Sequence, residues 1–258
     1  MKVRVLASGS KGNCILVSGE QTSILIDAGL SMRKIKEILF EIDFPVEKIK
    51  AILISHEHSD HIKGAGAIAR NFRIPLLVNE ATYRVGLRRF GRIPELIHFE
   101  NGQKFTFNDL LIDPFSVPHD SVDSSCFLIS ERGYPHKLGV ITDLGYPTML
   151  VKEMMKKPST VILESNHDID MLINGPYQWW LKQRVKGKNG HLSNIQAIEL
   201  LEEVLHDGLK NIVLAHLSEV NNKPDLAFNS MQRFLKERQA MCNLFIAEQY
   251  KPTEWIEV

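Results

Sequence analysis

The sequence predicts an α/β protein in which two sheets stack face to face and helices cover them. Three observations support this fold class. Short β-branched runs fill the first quarter of the chain, amphipathic helical patterns are interspersed with strands, and strands return near the end. Such a mixture is typical of a sheet sandwich with helices packed outside it. No low-complexity linker or internal repeat divides the chain, so we expect one domain over residues 1–258.

The early elements are short apolar runs bounded by glycine or asparagine. The runs KVRVLASG, NCILVSG and TSILIDAG predict three strands, and AILIS predicts a buried fourth strand. Between them, MRKIKEILFEI has an apolar residue at every third or fourth position, which predicts a helix capped by Ser31. IKGAGAIARNF predicts one further helix, and IPLLVN predicts the strand after it.

The remaining elements alternate between strands and helices. Residues 104 to 130 predict hairpins, and KLGVITDLG, STVILESN and KNIVLAHLS predict strands that each end in residues able to bind metal. Amphipathic patterns predict helices around Ile195 to Leu205 and Leu226 to Glu237. We expect LFIAEQ to be the last strand.

The composition favours a cytoplasmic protein without a membrane segment. The 31 Lys and Arg residues balance the 31 Asp and Glu residues, so any contact with nucleic acid must use local patches. Cys14, Cys126 and Cys242 lie far apart, which argues against a disulfide framework and fits a reducing compartment. No apolar run approaches the roughly 18 residues of a membrane span, and the N-terminus lacks the apolar region of a signal peptide.

The stretch ISHEHSDHIKG follows the strand AILIS directly and contains His56, His58, Asp60 and His61. Residues two apart in an extended strand end point to the same side, so His56 and His58 can bind one ion. Asp60 and His61 follow as the chain turns into a helix, where they can face a second ion. Zinc and similar divalent metals accept imidazole and carboxylate together. The alternative is a solvated, histidine-rich surface loop, but the position after a buried strand favours metal.

Further ligands are needed to complete two sites. His119 in VPHD, Asp143 in ITDLG and His216 in LAHLS each follow a predicted strand. A lone histidine or aspartate after a strand is more often a turn or capping residue. Because all three share this position and accompany the histidine cluster, we expect them to complete the metal site.

The order H-x-H-x-D-H, then His, Asp and His, resembles the metallo-β-lactamase fold superfamily. The resemblance implies an αββα sandwich with a two-metal centre at one edge. It implies that His56, His58 and His119 bind one ion, that Asp60, His61 and His216 bind the other, and that Asp143 bridges them. Asp27 in LIDAG matches an early aspartate of the superfamily, which supports the metal loop from behind the ligands.

Longer stretches resemble the YycJ (WalJ, VicX) family of nucleases within this superfamily. They are LASGSKGNC, ISHEHSDHIKG, VPHDSVD, TDLGY, LESNHDIDML, GPYQWWLKQRVKGKNGHLSN and LAHLSEVNN, in the same order along nearly the whole chain. The resemblance implies a DNA exonuclease acting from a 5′ end. Large nucleases of the superfamily insert a cap domain between the metal aspartate and the final histidine. Asp143 and His216 are too close in sequence for that insertion, so we expect an open cleft.

LESNHD and GHLSN also resemble transfer-RNA-processing endonucleases, whose matching residues form a proton shuttle. This implies that His191 protonates the leaving group while Glu164 holds its imidazole in the protonated form. The alternative is that His191 caps the helix beginning near Ser193 or packs in the loop. His167 is predicted either to lie in the pocket behind the metal ligands or to be a neighbour of a helix cap.

Two segments are candidates for binding phosphate. SGSKGN is either a turn between strands or a phosphate-binding nest, and LKQRVKGKNG is either a solvated helix end or a backbone-phosphate contact. The candidate residues are Ser8, Ser10, Lys11, Asn13 and Lys186. We expect Trp179 and Trp180 to pack in a core or an interface rather than to stack on bases.

The leading functional hypothesis is a cytoplasmic phosphodiesterase that contains two divalent ions, Zn or Mn, and cleaves nucleic acid, with DNA favoured over RNA. The positive charge of two divalent ions exceeds the negative charge of two carboxylates and a hydroxide. The small positive charge that remains favours an anionic phosphodiester. One alternative is a hydrolase of a small ester, thioester or cyclic phosphate. The other is a regulatory module that keeps its metals for structure. Polymeric substrates should show strong salt dependence, which small substrates should not.

Overall fold

Two seven-stranded sheets form the centre of the protein, in a computed structural model that describes residues 1–258. The strands of the first sheet are β1 (Lys2–Ala7), β2 (Cys14–Ser18), β3 (Ser23–Ile26), β4 (Ile49–Leu53), β5 (Leu76–Asn79), β6 (Leu96–Phe99) and β14 (Ile256–Glu257). The strands of the second sheet are β7 (Phe105–Phe107), β8 (Leu110–Ser116), β9 (Ser125–Glu131), β10 (Lys137–Ile141), β11 (Thr160–Glu164), β12 (Asn211–Ala215) and β13 (Asn243–Ile246).

Each sheet has an antiparallel half and a parallel half. The first sheet has the order β14-β1-β2-β3-β4-β5-β6, with parallel pairing from β3 to β6. The second has the order β13-β12-β11-β10-β9-β8-β7, with parallel pairing from β10 to β13. The pairing of β7 with β8 and of β8 with β9 is antiparallel, which confirms the predicted hairpins.

Helices connect the strands and cover the outer faces of the sheets. They are α1 (Met32–Glu41), α2 (Ser59–Ile62), α3 (Ala65–Phe72), α4 (Glu80–Phe90), α5 (Met149–Met155), α6 (Ile169–Asn174), α7 (Trp179–Lys186), α8 (Asn194–Val204) and α9 (Pro224–Glu237). Ser31 caps α1 as predicted, because its Oγ accepts a hydrogen bond of 3.2 Å from the Lys34 amide. None of the nine helices is long and apolar enough to cross a membrane.

Three groups of buried apolar side chains hold the layers together. One group lies between the sheets, where Val5 and Val17 of the first sheet share a core with Val140 and Val213 of the second. A second group packs α1 and α3 on the first sheet, and a third packs α5, α8 and α9 on the second. Burial of this apolar surface is the main stabilising contribution. The predicted αββα sandwich is therefore confirmed.

The structure corrects three predictions about individual elements. IKGAGAIARNF belongs to two helices, α2 and α3, which are separated near Gly64, where a Cβ would lie 2.2 Å from the Leu30 carbonyl oxygen. LFIAEQ contains part of β13, which is not the last strand. The last strand is β14, which pairs with β1 and has only two residues, too few to show periodicity. The prediction that Trp179 and Trp180 pack in a core is wrong as well. They are 71% and 61% exposed at the start of α7.

Candidate metal centre and cleft

The predicted ligands collect at one edge of the sandwich because several strands end there. Asp27 follows β3, Asp143 follows β10 and His216 follows β12, and all three have left-handed backbones, with φ of 58°, 57° and 57°. Residues other than glycine rarely adopt this conformation, and each such residue costs about 1–3 kcal/mol. The surrounding contacts must offset that strain. Left-handed residues of this kind concentrate at functional sites, and no pattern in the sequence indicated them.

The first group of imidazoles consists of His56, His58 and His119. His119 Nε2 lies 3.2 Å from His58 Nδ1, and the His56 ring centroid lies 4.6 Å from that of His58 and 5.0 Å from that of His119. One nitrogen from each ring lies within 4.8 Å of the others. The three nitrogens can therefore share one ion.

The second group consists of Asp60, His61 and His216, and Asp143 lies between the two groups. Asp60 Oδ2 is 3.5 Å from His61 Nε2 and 3.7 Å from His216 Nε2. Asp143 Oδ2 is 3.4 Å from His61 Nε2, and its Oδ1 is 3.4 Å from His216 Nε2 and 3.8 Å from His119 Nε2. A carboxylate in this position can reach ions held by either group.

The donor set fits divalent metal ions. His56 Nε2, Asp143 Oδ2 and His216 Nε2 are buried, and none of them has a hydrogen-bond partner. An unpaired buried polar atom costs about 1–3 kcal/mol, so three of them at one point need an explanation. These three atoms are among those that ions held by the two groups would use.

The carboxylate of Asp27 fixes the orientation of the His61 ring through Nδ1, the nitrogen that faces away from the other predicted ligands. Its Oδ2 lies 2.7 Å from His61 Nδ1, which leaves Nε2 facing Asp60 and Asp143. The Ser55 amide and hydroxyl donate hydrogen bonds of 2.9 and 2.8 Å to the two oxygens of Asp27. Partners of this kind fix the orientation of a metal-binding imidazole. Ser55 was not predicted, because only the folded geometry connects it to Asp27.

Glu164 holds two histidines at once. Its Oε1 lies 2.8 Å from His191 Nδ1 and 3.1 Å from His216 Nδ1, while Oε2 accepts hydrogen bonds from the amides of Leu144 and Leu192. Burial alone would raise the pKa of Glu164, but His191 and His216 outweigh it and lower the pKa to about 2. Because both oxygens already have partners, Glu164 orients the two imidazoles rather than offering a free ligand atom.

His191 lies in the cleft in front of the predicted ligands. It is 21% exposed, and its Nδ1 is turned toward Glu164. The N-cap of α8 is Ser193, which forms a capping box with Gln196, so His191 does not cap that helix. Tyr177, Leu181 and Arg184 line the same cleft. The chain between Asp143 and His216 folds into β11, β12 and α5 to α8 without forming a cap domain.

His167 is buried outside the groups of possible ligands. Its carbonyl oxygen accepts a hydrogen bond from the Asn194 amide at the first residue of α8. Burial lowers the pKa of the ring to about 4, so the imidazole is neutral near pH 7. Its backbone therefore lies beside the start of α8.

The candidate phosphate contacts differ in accessibility. Ser8 and Asn13 are buried, Ser8 Oγ accepts a 2.7 Å hydrogen bond from the His216 amide, and Asn13 Oδ1 accepts one from Gly9. Ser10 lines the cleft, whereas Lys186 is exposed but does not. The geometry thus assigns the buried pair to support of the loop.

Lys11 is exposed, and its charge is already paired. Its Nζ lies 2.8 Å from Glu219 Oε2 and 5.5 Å from the centroid of the Tyr250 ring. The hydrogen bond to Glu219 raises the pKa of Lys11. Any phosphate that binds Lys11 must therefore compete with Glu219.

Asp120 and Arg184 form an ion pair at the mouth of the cleft that was not predicted as a unit. Asp120 Oδ1 lies 3.4 Å from His119 Nε2 and 3.7 Å from His58 Nε2, and Oδ2 pairs with Arg184 Nε. Burial opposes ionisation, but Arg184 and the two histidines lower the pKa of Asp120. The only signal in the sequence was an aspartate directly after a predicted ligand, in VPHD.

Ion binding at this centre is expected to release protons. Burial alone would lower the pKa of His216, but Asp143, Asp60 and Glu164 outweigh it and raise the pKa to about 10. A divalent ion must displace that proton, so binding should tighten as pH rises toward about 10. Titration calorimetry in two buffers of different ionisation enthalpy measures the release. Affinity that is independent of pH would contradict this assignment of His216.

Comparisons with known proteins place the chain among several relatives. A family model described as "Beta-lactamase superfamily domain" matches residues 22–216. The chain is 36% identical to exodeoxyribonuclease YycJ of Bacillus anthracis, over 91% of this chain and 89% of that protein. It is 37% identical to exodeoxyribonuclease WalJ of Streptococcus pneumoniae serotype 2 (strain D39 / NCTC 7466), over 89% of this chain and 86% of that protein.

A solved structure extends the likeness to the whole fold. Zn²⁺-bound PqqB from Methylobacterium extorquens superposes with a TM-score of 0.73, covering 98% of this chain and 100% of that one. The two sequences are only 16% identical, so this comparison supports the fold alone.

Proposed function

Because the chain belongs to the beta-lactamase superfamily, and within it to the family of YycJ and WalJ, we propose that it is a dinuclear exodeoxyribonuclease. Membership makes it a metal-dependent hydrolase. We further propose that it prefers DNA to RNA, that it removes nucleotides from a 5′ end, and that it is cytoplasmic. The three free cysteines favour the cytoplasmic location. The observation that carries the proposal is the convergence of seven imidazole and carboxylate side chains on one edge, around the unpaired Asp143 Oδ2.

Two divalent ions would be held by the seven predicted ligands. One ion would bind His56, His58 and His119, the other would bind Asp60, His61 and His216, and Asp143 would contact both. Mixed imidazole and carboxylate donors suit zinc, and the two aspartates also suit manganese. When bound, such ions activate water and offset the negative charge of a phosphodiester.

The protein's own residues would handle the leaving group. The departing sugar oxygen of a phosphodiester needs a proton, and His191 is the imidazole in the cleft that is not among the predicted ligands. Glu164, fixed by two backbone amides, holds His191 Nδ1 at 2.8 Å and thereby sets the orientation of the ring. We therefore assign His191 as the proton donor and Glu164 as its positioning residue.

The shape and charge of the cleft support a nucleic-acid strand as the substrate. Arg184 lies at the mouth, paired with Asp120, and Tyr177 and Leu181 supply an apolar wall for a terminal nucleoside. No cap domain closes over the site, so a strand can lie across it. Aromatic rings near a cationic groove are typical of proteins that bind single strands.

The proposal predicts degradation from the ends. Purified protein with Mn²⁺ or Zn²⁺ should release nucleotides stepwise from 5′-ended linear DNA and leave closed circular DNA intact, because the latter offers no terminus. Gel analysis of end-labelled DNA and RNA, both single- and double-stranded, measures polarity and sugar preference. Equal cleavage of circular and linear DNA would exclude an exonuclease. Hydrolysis of small esters alone, without salt dependence, would favour the small-molecule alternative.

A further inference from the structure

A second polar groove adjoins the predicted metal centre. Six residues line it, and none is apolar: Ser10, Lys11, Ser59, Asp60, Lys63 and Arg89. Ser10 and Asp60 also line the cleft, so the groove and the cleft are continuous. Its volume of about 640 Å³ falls within the range of about 300–1,000 Å³ found for ligand sites. We call it the α2–α4 groove.

Two helices fix the positions of its cations. Lys63 follows Asp60 by three residues at the end of α2, a spacing that places both on one face. Arg89 lies on α4, which approaches α2 closely at Gly86, where a Cβ would lie 3.1 Å from Ile62 Cδ1. Both cations are therefore carried by helices that pack against each other beside the metal loop.

The charges of Lys63 and Arg89 are unpaired. Both side chains are exposed, and no carboxylate oxygen lies within 4.0 Å of either. Lys11, at the other end of the groove, is already paired with Glu219. Unpaired cations beside a site for a phosphodiester attract neighbouring phosphates of the same strand.

We propose that the α2–α4 groove binds the phosphates of the nucleic-acid strand next to the phosphodiester being cleaved, with Lys63 and Arg89 as the contacts. This inference rests on the proposed function and extends it to the path of the substrate. The apolar wall of Tyr177 and Leu181 receives the terminal nucleoside, and the retained strand runs over α2 and α4. A substrate with a single phosphodiester does not reach this groove.

The test compares two double variants. Lys63→Ala with Arg89→Ala removes the proposed contacts. Arg88→Ala with Arg92→Ala removes two exposed charges, one in the last turn of α4 and one just after it, that line neither groove nor cleft. Binding of a phosphorothioate oligonucleotide, which resists hydrolysis, is followed by fluorescence anisotropy at several salt concentrations. Cleavage is measured with an oligonucleotide and with bis(p-nitrophenyl) phosphate.

The Lys63/Arg89 variant should bind the oligonucleotide about tenfold more weakly, with a salt slope reduced by about 1.4, because each single-strand phosphate contact contributes about 0.7. Its kcat/KM for the oligonucleotide, relative to that for the small diester, should fall about tenfold. The Arg88/Arg92 variant should match the wild type in both measurements. Equal salt slopes in the two variants would contradict the proposal that the α2–α4 groove binds phosphates. A wild type that binds through the groove but cleaves no nucleic acid would overturn the proposed function instead.

Discussion

Replacing Asp60 by Asn is expected to reduce phosphodiester hydrolysis by about a thousandfold or more, which corresponds to about 4 kcal/mol of transition-state stabilisation. The substitution keeps the size of the side chain but removes the negative charge that faces His61 Nε2 and His216 Nε2. The second ion should then bind weakly, so the metal content should approach one ion per chain.

The fold should tolerate this substitution. The Asp60 backbone carbonyl accepts a 2.7 Å hydrogen bond from the Asn13 amide, and neither group depends on the carboxylate. Calorimetry and elemental analysis on the same sample separate loss of metal from loss of fold. Asp207→Asn, at an exposed position away from the site, is the matched control. Wild-type turnover in a fully loaded Asp60→Asn protein would remove Asp60 from the ligand set.

The site residues that could be predicted are those that form a short pattern in the sequence. His56, His58, Asp60 and His61 lie within six consecutive positions after a buried strand, and such a pattern is recognisable without knowing the fold. His216 could be added because it ends a predicted strand, and strand ends meet at one edge of a sandwich. The layered fold was predictable for a similar reason, since periodicity reports which faces are buried.

The supporting residues could not be predicted, because they depend on contacts between distant parts of the chain. Ser55 bonds to Asp27, 28 positions away, and Arg184 pairs with Asp120, 64 positions away. Arg89 resembles its neighbour Arg88 in sequence, and only the packing of α4 on α2 turns one of them toward the groove. Short-range patterns contain no information about such pairs.

Replacing His191 by Ala is expected to slow nucleic-acid cleavage by about 10²–10⁴-fold, the usual contribution of a general acid. The imidazole stands in the cleft beside the predicted ligands, and Glu164 holds its Nδ1. Without it, the sugar oxygen must leave unprotonated. The metal content should remain that of the wild type.

The choice of leaving group separates proton donation from a structural role. Nitrophenolate departs without a proton, so His191→Ala should scarcely affect hydrolysis of bis(p-nitrophenyl) phosphate by the same sample. Glu164→Gln is a poor substitute for this test, because Glu164 also lies 3.1 Å from His216 Nδ1, and its loss would disturb a predicted ligand. A His191→Ala protein that lost activity equally on both substrates would show that the imidazole maintains the shape of the site. Selective loss with nucleic acid identifies His191 as the group that completes bond cleavage.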